Sequence, residues 1–576
     1  MMGSMKDALT KLFSDLVAQK ENSNIIPLIT RPENPDHGEY TTNAAMLLTK
    51  LLKQNPMNIA EDIKQTLMSW MQSDEKNKHY PVLAAVDHID VLPPGFINIF
   101  LKDDPLKQNL IRAEKQITPS TQTIMVEYAQ PNTHKAFHIG HLRNIITGEC
   151  IVRLLQANGH TVIRANYQGD VGLHIAKALY GIIQITDYKL QMTNLKTISD
   201  KVHFLADAYV AGNTAYEETK EGKEKINSIN KHIYAKDPDI YPLYQETRQW
   251  SLDYFDAMYK RLGTQFDRLY FESESYEVGK KLVTDYVEKG VFEKSEGAVI
   301  FPGEKYGLHN RVFITSEGNP TYEGKDIGLA KLQFGEYHPD RIIHCVSTEQ
   351  IEYFRVIFEA IARVFPNTRG KEYHLPYGFV QLKHGKMSSR SGNIIGGEWL
   401  LDEVKKEIQT IIQEGDRGYT PQEKETIAEI TTIAAVKYAF LKVGTTQEIA
   451  FDIKESINTN GDSGPYLLYA YARCKSVMGK NKQHSDTNNQ TEKMNQEEHE
   501  LARLLLYFPE IVREAGEKFA PNMLCSYLFT VAQTFNLMYA KHPIIGNDLR
   551  LELTGKTAQT LQKGLHMLGM ETIERM

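Results

Sequence analysis

Apolar residues recur at helical spacing over residues 44–52, and this pattern predicts an amphipathic helix. Asn58-Ile59-Ala60-Glu61 reads as the start of another, with Asn58 as its N-cap and Glu61 three residues later. Residues 95–101 alternate, as a half-buried strand does. From Thr123 the pattern changes. Residues 123–129 predict a strand, 130–137 a loop, 140–157 a helix closed by Asn158-Gly159, and 161–166 a second strand. Strand, helix and strand in that order make one βαβ unit. Residues 341–347 and 377–382 predict two more strands, with a helix over 349–364 between them. The charged, mostly helical stretch 187–262 reads as an insertion. After Pro421 the pattern is helical almost throughout, apart from 481–496, whose polar composition predicts a mobile loop. The expected fold class is α/β. A Rossmann-like, doubly wound parallel-sheet catalytic domain is joined to an α+β N-terminal domain and an all-α C-terminal domain.

A chain of 576 residues is too long for a single core. The expected divisions are 5–115, 116–400 with the 187–262 insertion, a helical connector 401–455, and 456–576. The mix of 41% hydrophobic and 24% charged residues is that of a soluble protein, with no apolar run long enough for a membrane span or a signal peptide. Cys150, Cys345, Cys474 and Cys525 are scattered, without a C-x-x-C pair. No metal site is expected from them, and free thiols in a reducing cytoplasm are. A net charge of -7 argues against a sequence-blind nucleic-acid binder, yet leaves room for a local basic face.

Two segments carry candidate chemistry. In Lys135-Ala136-Phe137-His138-Ile139-Gly140-His141, the two histidines lie three apart at a predicted helix start. Such a start presents free N–H groups and a positive dipole end to phosphate, and two imidazoles there can donate further hydrogen bonds. Gly140 leaves the backbone bare for a flat base. In Gly385-Lys386-Met387-Ser388-Ser389-Arg390-Ser391-Gly392, glycines flank a basic, hydroxyl-rich loop suited to closing on polyphosphate. Both segments follow predicted strands, at the carboxyl edge where open α/β sheets bind ligands.

The pair resembles the HIGH and KMSKS motifs of class I aminoacyl-tRNA synthetases. Thr321-Tyr322-Glu323-Gly324-Lys325-Asp326-Ile327 is similar to the T-Y-x-x-x-D-I stretch of the arginyl family. That resemblance implies an ATP-dependent arginine–tRNA ligase working through an arginyl-adenylate, with ATP bound by Gly140, His138, His141, Met387, Ser388, Ser389 and Arg390. It implies Mg²⁺ on the phosphates with no dedicated protein site. Ser389 stands where the second motif has its second lysine; Lys135 fills the place from which many arginyl enzymes compensate. His138, His141, Lys135 and Lys386 are therefore the expected catalytic residues. By the same resemblance Tyr322 and Asp326 hold the guanidinium, with Glu274 as second acid, or Glu272 if the alignment slips by two. Glu127, Asn132 and Gln350 hold the α-amino end. Asp170 or His174 either touches substrate or caps a turn.

Residues at both ends, Pro94-Gly95-Phe96-Ile97-Asn98 and Gly464-Pro465-Tyr466-Leu467, resemble the family's N-terminal and anticodon-binding domains. The implied partners are tRNA(Arg), L-arginine and ATP, for a cytoplasmic monomer. Residues 501–576 hold eight Lys+Arg against seven Asp+Glu, so RNA recognition there would rest on stacking and shape. Tyr539 and Met576 are the candidates, with plain helix packing as the alternative for Tyr539. Three rivals remain: a class I synthetase of another specificity, a nucleotidylyltransferase, and a non-catalytic relative.

Overall fold

The computed structural model describes residues 4–21, 25–103, 106, 122–383, 395–415, 418–481 and 493–576. Its centre is a parallel sheet of β1 (Thr123–Glu127), β2 (Thr161–Gln168), β3 (Arg268–Phe271), β4 (Arg341–Ser347) and β5 (Glu372–Tyr377). The order across the sheet is β5-β4-β1-β2-β3, and every pairing is parallel. Parallel strands need long crossovers, which cover both faces, so the central strands are apolar nearly throughout. Ile124, Met125, Val126, Ile342 and Ile343 are buried accordingly. The order reverses between β4 and β1, and a crevice opens at such a switch point beyond the strands' carboxyl ends.

The helix α1 (Ile139–Ala157) crosses from β1 to β2 and is buried along most of its length. It packs on the sheet on one side and on the helices Pro421–Leu441 and Phe508–Glu517 on the other. Two adjacent polar residues on α1 face these two environments. Asn144 accepts the Ala129 N–H at 2.7 Å and donates to the Cys345 carbonyl at 2.9 Å and the Tyr377 hydroxyl at 3.3 Å. It thereby ties together the ends of β1, β4 and β5. Arg143 donates to the carbonyl of Phe440, one of the last-turn groups of Pro421–Leu441 without a helical partner, and to that of Thr445 in the segment that follows.

The N-terminal part is a four-stranded antiparallel sheet with the helices Met5–Glu21, Ala44–Leu52 and Pro56–Met71. The C-terminal part is helical, from Gly464–Asn481 to Asp548–Met567. The two meet directly: the Tyr40 hydroxyl donates to Glu510 at 2.9 Å, and the Tyr507 hydroxyl to the Glu39 carbonyl at 2.6 Å. No helix among the described residues is long and apolar enough to cross a membrane, and the four cysteines are free and buried.

Several expectations are corrected. The helix expected from Asn58 starts at Pro56, because Asn55 accepts the Met57 N–H at 2.8 Å and proline pre-sets the first turn. The fifth strand is Glu372–Tyr377; the segment read as 377–382 contributes only Val380–Leu382, which pairs with Ile449–Phe451 in a separate two-stranded sheet. The helix expected over 349–364 opens with the 3-10 turn Thr348–Gln350 before Ile351–Val364. Edge strand β3 and the antiparallel sheet Glu293–Ser295, Ala298–Phe301 and Arg311–Ile314 were not anticipated. Of the expected loop 481–496, residues 482–492 lie outside the described residues, and Gln496 already begins a helix.

Removing the Asn144 carboxamide orphans a buried N–H and a buried carbonyl. Asn144→Ala should lower the unfolding free energy by about 2–4 kcal/mol, measured by urea denaturation followed at the catalytic-domain transition.

Candidate active site

α1 begins on His138. The His138 Nδ1 accepts the Gly140 N–H at 3.1 Å, and the His141 Nδ1 accepts the His138 N–H at 3.0 Å. The two imidazoles thus form the reciprocal cap usually made by serine and glutamate. With both Nδ1 lone pairs occupied, each neutral ring must carry its proton on Nε2. Burial, reinforced by the charge of Lys135, lowers the pKa of His138; burial, His138 and Lys135 hold His141 well below the usual range. The rings stack with centroids 3.8 Å apart, an arrangement suited to neutral imidazoles rather than two cations. Gly140 permits this, since a Cβ there would meet the His138 ring at 2.9 Å. Both rings line a cavity of about 700 Å³ with Gln130, Ser347, Tyr377 and Phe379.

The preceding loop is strained and firmly held. Ala129, Gln130 and His134 have φ of 76°, 49° and 62°, a left-handed conformation that side chains other than glycine rarely adopt. Asn144 secures Ala129, and Asn166 accepts the Gln130 N–H at 3.0 Å. The helix α2 (Tyr241–Arg261) secures His134: Ser251 accepts its N–H at 3.0 Å and the Thr247 hydroxyl meets its Nε2 at 2.8 Å. Burial drops the His134 pKa to about 3, so that ring is a neutral strut. Lys135 follows on the surface, its own pKa lowered by partial desolvation and then by Lys177.

A second cavity of about 710 Å³ shares Gln130, His138, Ser347 and Tyr377 with the first. Its wall is rich in acids: Glu127, Glu272, Glu323, Asp326 and Glu372. Most are already matched. Arg311 pairs with Glu323 at 3.0 Å, and Lys325 pairs with Glu272. His344 sits between Glu127 at 3.4 Å and Glu372 at 2.6 Å. Desolvation opposes its charge, but the two carboxylates hold its pKa well above the usual value. Burial likewise works against Glu127, yet His344 and the amides of Gln333 and Gln130 keep that carboxyl low.

Asp326 differs. It accepts the Tyr353 hydroxyl at 2.7 Å, and no cation among the described residues lies within ion-pair distance. Burial, only partly offset by Tyr353, and then the charge of Glu127 push its pKa up to about 8. The cavity therefore offers two separate uncompensated negative charges, one on the Glu127–His344–Glu372 group and one latent on Asp326. A ligand with a cation at each end satisfies both.

Close helix packing builds this wall. α3 (Glu272–Asp285) and α4 (Tyr322–Tyr337) approach through glycines; a Cβ on Gly279 would meet the Gly324 carbonyl at 2.0 Å and one on Gly328 the Ser275 carbonyl at 2.2 Å. That approach brings Glu272 to Lys325. Tyr322 and Asp326 are four apart on α4 and so share one face.

The structure brings Glu127, Asn132, Tyr322, Asp326 and Gln350 together around the acidic cavity. Glu274 is not among them, which corrects the expectation for it. Its carboxylate accepts the Phe271 N–H at 3.3 Å as the cap of α3 and pairs with Arg268 at 3.2 Å, while Glu272 faces the cavity. Lys386, Met387, Ser388, Ser389 and Arg390 lie outside the described residues. Asp170 lines neither cavity. It accepts the Ser273 N–H and Arg248 Nε, both at 2.9 Å, and so locks the turn after β2. His174 is likewise absent from both linings. Tyr539 is 43% exposed beneath the Arg473 guanidinium, 5.0 Å from its ring centre, whereas Met576 is half-buried against the helical core. His344, Glu372 and Tyr353 went unread in the sequence. The one available signal was a histidine interrupting an otherwise apolar central strand.

Comparison with known proteins bears on this arrangement. The family model described as tRNA synthetases class I (R), catalytic domain, matches residues 106–453. The arginyl tRNA synthetase N terminal domain matches 3–101, and the DALR anticodon binding domain matches 467–576. An arginine–tRNA ligase of Porphyromonas gingivalis is 30% identical, over 93% of this chain and 94% of its own. One from Fusobacterium nucleatum is 29% identical, over 97% and 98%. Among solved structures, the Thermus thermophilus arginyl-tRNA synthetase shares the fold at a TM-score of 0.81 with 23% identity, covering 99% of this chain and 100% of that one. The Plasmodium falciparum enzyme has a TM-score of 0.77 and 19% identity, with both chains covered in full. With a catalytic-domain match over more than half its length and a 30% identical relative along nearly all of it, the chain belongs to the arginyl-tRNA synthetases of class I.

Proposed function

We propose that this protein attaches L-arginine to tRNA(Arg) in two steps. The arginine carboxylate attacks the ATP α-phosphate, releasing pyrophosphate and forming arginyl-adenylate; the 3′ end of the tRNA then attacks the adenylate and releases AMP. The observation that carries this reading is the pair of cavities joined at Gln130, His138, Ser347 and Tyr377. One offers neutral donors at a helix start, suited to phosphate, and the other two separated negative charges.

In this reading the guanidinium meets Asp326 with the Tyr322 ring beside it, and Glu272 takes the role expected of Glu274. The α-ammonium lies toward Glu127, with Asn132 and Gln350 completing that end. The reacting carboxylate then points to the shared wall. As charge builds on the α-phosphate, the Nε2–H groups of His138 and His141 and the positive end of the α1 dipole stabilise it. Lys135 supplies the cation that Ser389 does not, and Lys386 is the further phosphate partner expected from the sequence. The protein works by positioning and fixed charge, without a covalent intermediate. Mg²⁺ suits this site as a companion of ATP: imidazoles that present N–H bonds match phosphate oxygens rather than a cation. Its contribution when bound is to neutralise phosphate charge. Tyr539 offers an exposed ring for an unpaired tRNA base. The working form is a cytoplasmic monomer, divided into the N-terminal, catalytic, connector and anticodon-binding regions expected from the sequence.

Arginine-dependent ATP–pyrophosphate exchange, with and without tRNA, tests the reaction; exchange supported by lysine or cysteine but not arginine would refute the specificity. Asp326→Asn should raise the arginine KM on the order of a hundredfold while leaving the ATP KM near normal.

The raised pKa of Asp326 has a definite sign for binding. A guanidinium needs the carboxylate, so below about 8 a proton must leave before arginine enters. Arginine affinity, measured by calorimetry, should rise as pH increases from 6.5 to 8 and level off above. Asp326→Asn should flatten that profile.

Lys135→Ala should cut the exchange rate by about 100-fold or more with arginine binding spared. A near-normal rate would assign the missing charge elsewhere.

A further inference from the structure

The Glu127–His344–Glu372 group poses a problem of charge. Under the reading above, Glu127 faces the α-ammonium of arginine, yet His344 already lies 3.4 Å from it and its position favours a cation. A carboxylate and an imidazolium sum to zero, a poor partner for an ammonium group. The second carboxylate changes the sum. Glu372 Oε2 lies 2.6 Å from His344 Nε2, its side chain is only 4% exposed, and its Oε1 is buried with no hydrogen-bond partner among the described residues. Among the described residues Glu372 is thus engaged by His344 alone, and it lines the same cavity as Glu127.

The sheet dictates this arrangement. Glu127 on β1 and His344 on β4 are register partners, so their side chains emerge side by side on one face. Glu372 opens β5, next to β4. Around the group, Gln130 and Gln333 donate to Glu127 at 2.7 and 2.6 Å. Phe354 and Phe358 of α5 (Ile351–Val364) cover the imidazole, with ring centres 5.4 and 5.6 Å away. The other titratable groups facing it are Asp326 from α4, with the Tyr353 hydroxyl from α5 upon it, Tyr167 of β2, and Cys345 and His374 of β4 and β5. None adds a cation.

We infer that the three residues act as one buried monoanion and that Glu372, which need not touch arginine, is a positioning residue for the α-ammonium through His344. His344 orients Glu127 while cancelling one charge; Glu372 restores the negative charge that the substrate meets. This inference rests on the assignment of Glu127 to the α-ammonium.

A double-mutant cycle read by pyrophosphate exchange on the full-length protein with tRNA present tests it. E372Q leaves Glu127 and His344 summing to zero, so the arginine KM should rise on the order of tenfold, with kcat and the ATP KM little changed. In H344Q the imidazolium that cancels Glu127 is gone but so is the partner that orients it, so the arginine KM should itself rise and serve as the baseline for the second half of the cycle. Adding E372Q to H344Q should then cost almost nothing, because Glu127 alone carries the charge. Dependence on pH gives a second readout. In E372Q, His344 is held by one carboxylate instead of two, its pKa falls, and raising pH unmasks Glu127. The ratio of arginine KM between E372Q and the unaltered protein should therefore shrink as pH rises; the ratio cancels the titration of Asp326 common to both. Equal losses from E372Q with and without H344Q, or losses spread over kcat and the ATP KM, would reduce Glu372 to a packing residue and overturn the inference. Glu127→Gln separates the two levels. If it leaves the arginine KM unchanged, the assignment of Glu127 fails and the inference with it; if it raises the KM while E372Q does not, only the inference fails.

Discussion

The carboxamide of Asn144 is the constraint on which the catalytic architecture hangs. A parallel sheet ends, at its carboxyl edge, in backbone groups that have no next strand to bond. At the switch point these groups must also diverge to leave room for a ligand. Asn144 reaches from α1 to the Ala129 N–H, the Cys345 carbonyl and the Tyr377 hydroxyl. One side chain thereby sets how far β1, β4 and β5 stand apart. The pin lines the first cavity, and Ser347 and Tyr377, at the ends of β4 and β5, belong to both cavities. Because α1 also carries His138 and His141, the same helix that spaces the strands presents the donors.

The two cavities are built on opposite electrostatic principles. On one side the histidines are kept neutral by burial and by the charge of Lys135, His141 by the neighbouring His138 as well, and they act as dipoles. A neutral donor binds a phosphate without competing strongly for it once the product must leave. On the other side charge is tolerated because it is matched: Arg311 with Glu323, Lys325 with Glu272, His344 with Glu127 and Glu372. Unpaired buried charge is costly and is usually relieved by protonation, and Asp326 with its raised pKa follows that rule. The free protein holds a proton where the ligand would place a guanidinium.

Much of this was legible in the sequence because local signals agreed. Thr123–Glu127 is a short run of β-formers, Asn158-Gly159 closes the following helix, and His138 and His141 are three apart at its start; each feature is decided within a few residues. The failures were of two kinds. Some were ambiguities between equally good local signals. Glu272 and Glu274 both open α3, and nothing short of the tertiary contact says which faces inward, although an acid at the third helical position is itself a capping signal, and Glu274 spends its carboxylate that way. Asn55-Pro56 outranked Asn58 for the same kind of reason. Others lay in cross-strand register. His344 and Glu372 are 28 residues apart and meet only because β4 and β5 are neighbours. No periodicity along one strand reveals what stands opposite it, and the polar start of β5 hid that strand behind the more apolar segment that follows.

The reciprocal cap on α1 gives the H-x-G-H run a meaning beyond a list of useful residues. The His141 ring completes the backbone of His138, the His138 ring completes that of Gly140, and the glycine lets the first ring fold over. A change at any of the three would rotate a ring and move its proton to the other nitrogen, so the loss would propagate to the two residues left intact. The four residues behave as a single interlocked unit in which no member can be altered without disturbing the others.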